Sequence, residues 1–206
     1  GFAELRKLAL RSLMLSHNLD CDDASINVVL SNSGMLHHLR FINCPKLTDS
    51  TITALFEANV SWGKKRNERS AELQALELAG NNNVTHHSLL YLSTAVPRLS
   101  VLDLSECHSV HLTEALHEME NFTNLETLKI GPCAVAIDPD AVVSSLLGHM
   151  HNLQTLHMSG LVDLKDEDIA ELIDAAIVLS DISLTDMNVG TKTIESISST
   201  VPNIEK

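Results

Sequence analysis

The sequence predicts an α/β solenoid, in which a curved parallel sheet carries helices on its convex face, built from about seven repeats. Two observations predict this fold. An apolar pattern recurs with first residues 26, 37, 26, 26, 28 and 26 positions apart. A stretch with helical apolar spacing follows most copies. A single copy is too small to bury its own apolar face, so stacked copies share one continuous core.

The recurring unit reads LxxLxLxx, and its ninth residue is Asn or Cys in the first five copies. The first residues of the units are Leu10, Leu36, Leu73, Leu99, Leu125, Leu153 and Leu179, and an eighth copy begins at Ile204. The LxL core predicts a short strand whose side chains alternate between two faces. We expect the ninth side chain to point into the following turn and to bond the backbone there.

The helical stretches carry start signals. Thr48 or Asp49 is expected to cap the helix of the second unit. In the fifth unit Asp138 is the expected cap and Pro139 takes the first helical position. The acidic run 166–168 suits the positive end of the helix in the sixth unit.

The second unit resembles a known repeat class. Residues 36–55, LHHLRFINCPKLTDSTITAL, resemble the cysteine-containing leucine-rich repeat with its CPxLTDxxIxxL signature. The units at Leu99 and Leu125 keep the cysteine, and the unit at Leu153 has Leu161 in its place. This class is common in F-box substrate receptors of ubiquitin ligases and in other cytosolic assembly proteins. The resemblance therefore implies a protein-binding solenoid, although no F-box accompanies these repeats.

Composition and charge restrict the function further. A formal charge of −13 argues against nucleic-acid or anionic-membrane binding, and no apolar run reaches the roughly 18 residues of a membrane span. The four cysteines lack CxxC spacing, which indicates a reducing and therefore cytoplasmic setting, with the nucleus or mitochondrion left open. No nucleophile, phosphate-loop or dinucleotide motif is present. We expect a non-enzymatic protein without cofactor or small-molecule ligand.

Two tempting metal-site interpretations have structural explanations. Cys44, Cys107 and Cys133 occupy the same repeat position, which favours interior packing over zinc. The acidic clusters 20–23 and 163–168 lack the alternation and glycine of a calcium loop. We interpret the first as a solvated turn and the second as helix capping.

The concave face of the sheet is the first candidate surface for a protein partner. Its side chains are the third, fifth and seventh residues of each unit. The candidate binding residues on it are His38, Arg40, Glu77, Asp103, Lys129 and His157. The face carries mixed charge and no aromatic anchor of the kind found in hot spots. A polar, solvated sheet without a partner is the alternative.

An inserted basic loop is the second candidate surface. The interval of 37 between Leu36 and Leu73 exceeds the period by 11, and the excess falls on residues 60–71. The loop holds the only tryptophan of the chain and four basic residues; these are Trp62, Lys64, Lys65, Arg66 and Arg69. On an acidic body it is suited to an acidic protein partner, with Trp62 as anchor. A solvated loop with Trp62 folded back onto the helix is the alternative.

Residues 1–206 are thus expected to form one leucine-rich-repeat domain, and the start at Gly1 without a methionine suggests a piece of a longer chain. The favoured function is a protein-binding scaffold, with the substrate-recognition arm of a ubiquitin-ligase receptor as the most specific version. One alternative is a structural subunit or assembly factor of a large mitochondrial or ciliary complex. Another is an inhibitor that wraps an enzyme, as ribonuclease-inhibitor-like repeats do.

Overall fold

The computed structural model describes residues 10–33, 36–55, 73–92, 96–119, 122–132 and 137–200. Within these ranges seven parallel strands form one sheet, and their order in the sheet is their order in the chain. The strands are β1 Ser12–Ser16, β2 His38–Ile42, β3 Ala75–Glu77, β4 Val101–Ser105, β5 Thr127–Gly131, β6 Thr155–Ser159 and β7 Asp181–Thr185.

A helix or helical turn follows each strand for which the connecting residues are described. The α-helices are α1 Asp23–Asn32, α2 Leu112–Glu118, α3 Pro139–Leu147, α4 Asp166–Asp174 and α5 Thr191–Thr200. Residues 49–55 are also helical, and the third unit has a 3-10 helix over His86–Tyr91. The predicted α/β solenoid is confirmed.

The core lies between the sheet and the helices, and the fourth and sixth residues of each unit point into it. The fourth residues stack in register from strand to strand, as Leu39, Leu76, Leu102 and Leu128 do. These four side chains are 0–1% exposed. Burial of each contributes about 2 kcal/mol, so this ladder supplies a large part of the stability. We call the opposite face, formed by the third, fifth and seventh residues, the concave face.

A backbone turn in the left-handed region ends every strand, and the eighth residue of the unit normally makes it. These residues are His17, Asn43, Gly80, Glu106, Gly160 and Asp186, with φ between 50° and 74°. The fifth unit differs because Pro132 holds its eighth position, and a proline ring fixes φ near −65°. Gly131 takes the left-handed conformation instead, with φ of 86°.

The ninth side chains Asn81 and Cys107 are buried and bond backbone groups. Asn81 makes the predicted bond within its own unit, and both side chains also bond the preceding unit, which the sequence did not predict. Asn81 Nδ2 donates to the carbonyl oxygens of Phe41 and Leu78, each at 2.6 Å, and Asn81 Oδ1 accepts from the Cys44 N–H at 2.9 Å. The Cys107 thiol donates to the Leu78 carbonyl at 3.0 Å. Cys133 lies outside the described residues.

Aspartates in the first helical turn of one unit hold the loop of the next. Asp49 accepts hydrogen bonds from the backbone N–H and the hydroxyl of Thr85, each at 2.7 Å. The cap of the helical segment 49–55 is therefore the other candidate, Thr48, whose hydroxyl accepts from the Ser50 N–H at 3.1 Å.

The acidic cluster 20–23 is only in part the solvated turn that the sequence suggested, since Asp20 and Asp22 are exposed but Asp22 and Asp23 also hold backbone groups. Asp22 caps α1, since its Oδ1 accepts from the Ser25 N–H at 2.9 Å and from the Ser25 hydroxyl at 2.6 Å. Asp23 accepts from the N–H and hydroxyl of Thr48 in the next unit, at 2.9 and 2.7 Å. Burial raises the pKa of Asp23, but hydrogen bonds from Thr51 and Thr48 outweigh it, so the pKa is lowered overall.

Capping explains only part of the acidic cluster 163–168. Asp168 accepts from the Lys165 N–H at 2.8 Å, whereas Asp166 reaches the next unit. Its carboxylate accepts from the N–H groups of Gly190, Lys192 and Thr193, at 2.7, 3.0 and 3.1 Å. The pKa of Asp166 is lowered to about 2, and hydrogen bonding by the Thr193 side chain is the largest cause. The backbone N–H groups lower it further, whereas partial desolvation opposes them.

The other predicted start signal is also present. Asp138 Oδ1 accepts from the Ala141 N–H at 3.3 Å, and Pro139 is the first residue of α3. The predicted cap and the predicted first helical residue of the fifth unit are both confirmed.

Replacing Asn81 by Ala should lower the free energy of unfolding by roughly 3 kcal/mol, because the side chain bonds the Cys44 N–H and the Phe41 carbonyl of the preceding unit and is one of the donors to the Leu78 carbonyl. Asn83→Ala is the matched control. That side chain is exposed and makes one bond, to the Pro45 carbonyl at 2.7 Å, so its loss should cost about 1 kcal/mol or less. Urea unfolding measures both. Equal losses would show that the ninth position does not carry the inter-unit contact.

Asp166 should make the free energy of unfolding depend on pH in the acidic range. Its folded-state pKa of about 2 lies below the ordinary 3.8, so its contribution is complete above about pH 4 and is lost as the pH falls toward 2. The stability difference between the native chain and Asp166→Asn should therefore shrink across that window. Asp174→Asn, on the same helix, is the control and should leave the acid dependence as it is. If the free energy of unfolding falls with decreasing pH in the same way for the native chain and for Asp166→Asn, this role is contradicted.

Candidate protein-binding surface

The fifth residues of the units form one continuous line across the concave face, which we call the central row. In strand order they are Met14, Arg40, Glu77, Asp103, Lys129, His157 and Ser183, each in register with the next. Strand separation of about 4.8 Å makes this row roughly 30 Å long. Five of the six predicted concave-face binding residues lie in it.

The charges of the central row pair with one another. Arg40 Nε lies 3.5 Å from Glu77 Oε2, and Lys129 Nζ lies 3.7 Å from Asp103 Oδ2. Along the row the four charges follow the order plus, minus, minus, plus. Each cation thus has a carboxylate on an adjoining strand, which reduces the net field of the row and fixes the direction of the long side chains.

Asp103 is less accessible than predicted. The sequence placed it among exposed concave-face residues, but it is only 6% exposed. Its Oδ1 accepts from the Ser105 N–H at 2.9 Å, and its Oδ2 faces Lys129. The carboxylate lies against the strand surface instead of projecting from it, so Asp103 positions Lys129 and offers little contact area of its own.

The remaining predicted binding residues lie apart from these pairs. His157 Nε2 is 3.3 Å from Asp181 Oδ2 on β7, which links the row to the seventh unit. His38 is an exposed third residue, so it lies near the edge where the strands begin. Trp62, Lys64, Lys65, Arg66 and Arg69, together with the inserted loop 60–71, lie outside the described residues.

Sequence reasoning missed a shallow depression at the edge where the strands begin. It has a volume of about 250 Å³ and is lined by Arg11, Ser12, His37, His38 and Gln74. Three of these are second residues of their units, and the sequence analysis considered only the third, fifth and seventh positions. A comparison of the second positions across the units would have found an arginine and a histidine side by side.

The described cysteines have packing roles. The thiols of Cys21, Cys44 and Cys107 are buried. Burial, with smaller effects from neighbouring groups, raises the pKa of Cys21 and keeps it in the unreactive thiol form.

The rings of His86, His87 and His111 lie at the contact between the third and fourth units. The ring of His86 stacks on that of His111, with centroids 4.8 Å apart, and burial lowers its pKa. Across the described ranges, no three His, Cys, Asp or Glu side chains are grouped as a metal centre requires.

Comparison with known proteins bears on the fold. No protein-family model matches the sequence, and no curated protein matches it. A chain in the crystal structure of the Rad7 and Elc1 complex from yeast superposes with a TM-score of 0.64 at 22% identity, over 84% of this chain and 41% of that chain. The architecture is therefore leucine-rich-repeat-like. The present chain spans less than half the length of that neighbour.

A second solved structure carries no weight. A rubisco-like protein from Burkholderia fungorum shares 10% identity over 89% of this chain and 58% of its own, at a TM-score of 0.24. In the described part of the chain, no helix has the length and apolar character needed to cross a bilayer.

Lys129→Ala should destabilise the protein by roughly 1–3 kcal/mol, because the nearly buried carboxylate of Asp103 loses its countercharge. The double variant Asp103→Asn with Lys129→Ala should recover part of the loss. Lys192→Ala is the control: it removes an exposed ion pair with Glu167, which lies at 2.8 Å, and exposed pairs contribute little. Thermal unfolding compares these three with the single variant Asp103→Asn. A double variant as unstable as the sum of its single changes would contradict the coupling.

Proposed function

We propose that this domain is a non-enzymatic scaffold that binds a protein partner across its concave face. One observation carries the proposal: an open, seven-strand polar surface whose long charged side chains are held in place by ion pairs. Side chains that are fixed before binding lose less conformational entropy on binding. A surface about 30 Å long suits a folded protein or an extended segment better than a small molecule.

The most specific version is a substrate-recognition arm of a ubiquitin-ligase receptor. The resemblance of residues 36–55 to the cysteine-containing repeat supports this version, and so do the buried thiols of Cys44 and Cys107 at the repeat position. We assign the units to that repeat class on the same grounds. A reducing, cytoplasmic setting accords with the buried thiols of Cys21 and Cys44, which form no disulfide in the described part of the chain.

A structural subunit of a larger assembly is the second candidate, and exposed apolar side chains in the last two units favour it. Val162 is 60% exposed, Ile177 78% and Ile194 54%. Ile194 lies on α5, whereas Val162 and Ile177 lie in loops beside α4, and exposed apolar groups of this size suit a permanent neighbour. In this alternative the helical side, rather than the concave face, would carry the interface.

Blocking each face in turn tests the proposal. Thr155→Arg with Ser183→Arg adds two bulky charges over the concave face and leaves the ion pairs of Arg40 and Lys129 intact. The amount of partner that the variant cross-links from native extract should be at least about tenfold lower than the amount that the unchanged chain cross-links. This loss is expected when side chains of this size fill a contact surface.

The matched control adds the same charge on the helical side, as Ser144→Arg with Ser198→Arg on α3 and α5. It should keep the partner. Loss with the control alone would favour the structural-subunit function and contradict the concave-face proposal. A third variant, Trp62→Ala with Lys64, Lys65 and Arg66 changed to Glu, tests the inserted loop; unchanged recovery would remove the loop from the binding surface.

A further inference from the structure

The second and third residues of the seven units line the edge where the strands begin, which we call the starting edge. Its charge changes from one end of the sheet to the other. The second residues are Arg11, His37, Gln74, Ser100, Glu126, Gln154 and Ser180, and the third are Ser12, His38, Ala75, Val101, Thr127, Thr155 and Asp181. The first two units are basic, the next two uncharged, and the fifth and seventh acidic.

The depression of about 250 Å³ lies at the basic end. All five of its lining side chains can donate hydrogen bonds: a guanidinium from Arg11, imidazoles from His37 and His38, a hydroxyl from Ser12 and an amide from Gln74. None of the described lining residues is a carboxylate. In a chain with a formal charge of −13, a depression whose described side chains include an arginine and no carboxylate is suited to an anion.

Most other cations of the described ranges are already paired. Arg40, Lys46, Lys129 and Lys192, four of the six other Lys and Arg residues in these ranges, each lie within 3.7 Å of a carboxylate. Within those same ranges no ion pair joins Arg11 to a carboxylate. Arg11 is exposed at the rim of the depression. In this respect Arg11 differs from the two cations of the central row, Arg40 and Lys129, each of which faces a described carboxylate.

We propose that this depression is an anion site that takes carboxylate side chains of an acidic peptide segment. The choice of a peptide rests on the proposed protein-binding function; the anion site itself does not. Arg11 offers a planar fork for a carboxylate, and Ser12 and Gln74 add neutral donors beside it. The segment carries its acidic residues over the first two units, at the basic end of the starting edge.

The rest of the sheet argues against an extended polyanion such as nucleic acid. A uniformly charged strand that leaves the depression along the starting edge would meet Glu126 and Asp181. Like charges at this spacing repel. A peptide can place carboxylates at one end and neutral or basic residues at the other, and so follow the change of charge along the sheet.

Fluorescence anisotropy tests the site with a fluorescein-labelled ten-residue peptide of alternating Glu and Ser. The double variant Arg11→Gln with His38→Gln should raise Kd about tenfold or more, because charge-assisted hydrogen bonds are lost. Arg98→Gln with His108→Gln removes the same residue types from exposed positions in other loops and should change Kd less than about twofold. Binding should weaken as salt is raised.

Amide chemical-shift mapping on the unchanged chain gives a second, independent measurement. Shifts confined to residues 11–12, 37–38 and 74 support the assignment. Absence of binding, equal effects of the two double variants, or shifts elsewhere would overturn it. A thymidine oligonucleotide of equal charge that binds as tightly would overturn the peptide assignment. The variant that adds arginines to the concave face, Thr155→Arg with Ser183→Arg, tests the scaffold function separately. Failure of one proposal is therefore distinguishable from failure of the other.

Discussion

The turn that ends each strand is the constraint on which the solenoid depends. At that point the backbone enters the left-handed region, and in the third and fourth units the ninth residue buries a side chain that bonds a carbonyl group of the preceding unit. Asn81 alone joins the turn of its own unit to two backbone groups of the second unit. Because backbone groups buried without partners are costly, this contact stabilises the stacking of the units in register. The in-register leucine ladder follows from that stacking.

A second set of contacts on the helical side reinforces the stack. Asp23, Asp49 and Asp166 each belong to one unit and satisfy backbone N–H groups of the next. These carboxylates are aimed at a neighbour instead of at their own helix, so they couple the units directly. In a fold where each repeat touches only its neighbours, such nearest-neighbour terms determine how cooperatively the whole array unfolds.

The sequence predicts the fold well because the period is explicit, and it predicts side-chain roles only where they are local. The strand positions, the buried ninth residue and the Asp138 cap all depend on residues within one unit. The role of Asp23 could not be predicted in this way, because its partner Thr48 lies 25 residues further along the chain. The same limit applies to the concave face: alternation places Asp103 on it, but only the neighbouring strand reveals that Lys129 covers the carboxylate. The depression beside Arg11 needs three strands to form and has no signature in any one of them.

The fifth unit shows how this architecture restricts sequence change. Gly131 has left-handed backbone, and a Cβ there would come within 1.9 Å of the Ser159 carbonyl oxygen. The shift of the turn to this residue accompanies the proline at the next position. A replacement of Gly131 is tolerated only if Pro132 has already been exchanged for a residue that can make the turn, whereas an exchange of Pro132 leaves Gly131 acceptable. Mutational paths through this unit therefore have a required order, and the two positions are expected to vary together among descendants of this sequence.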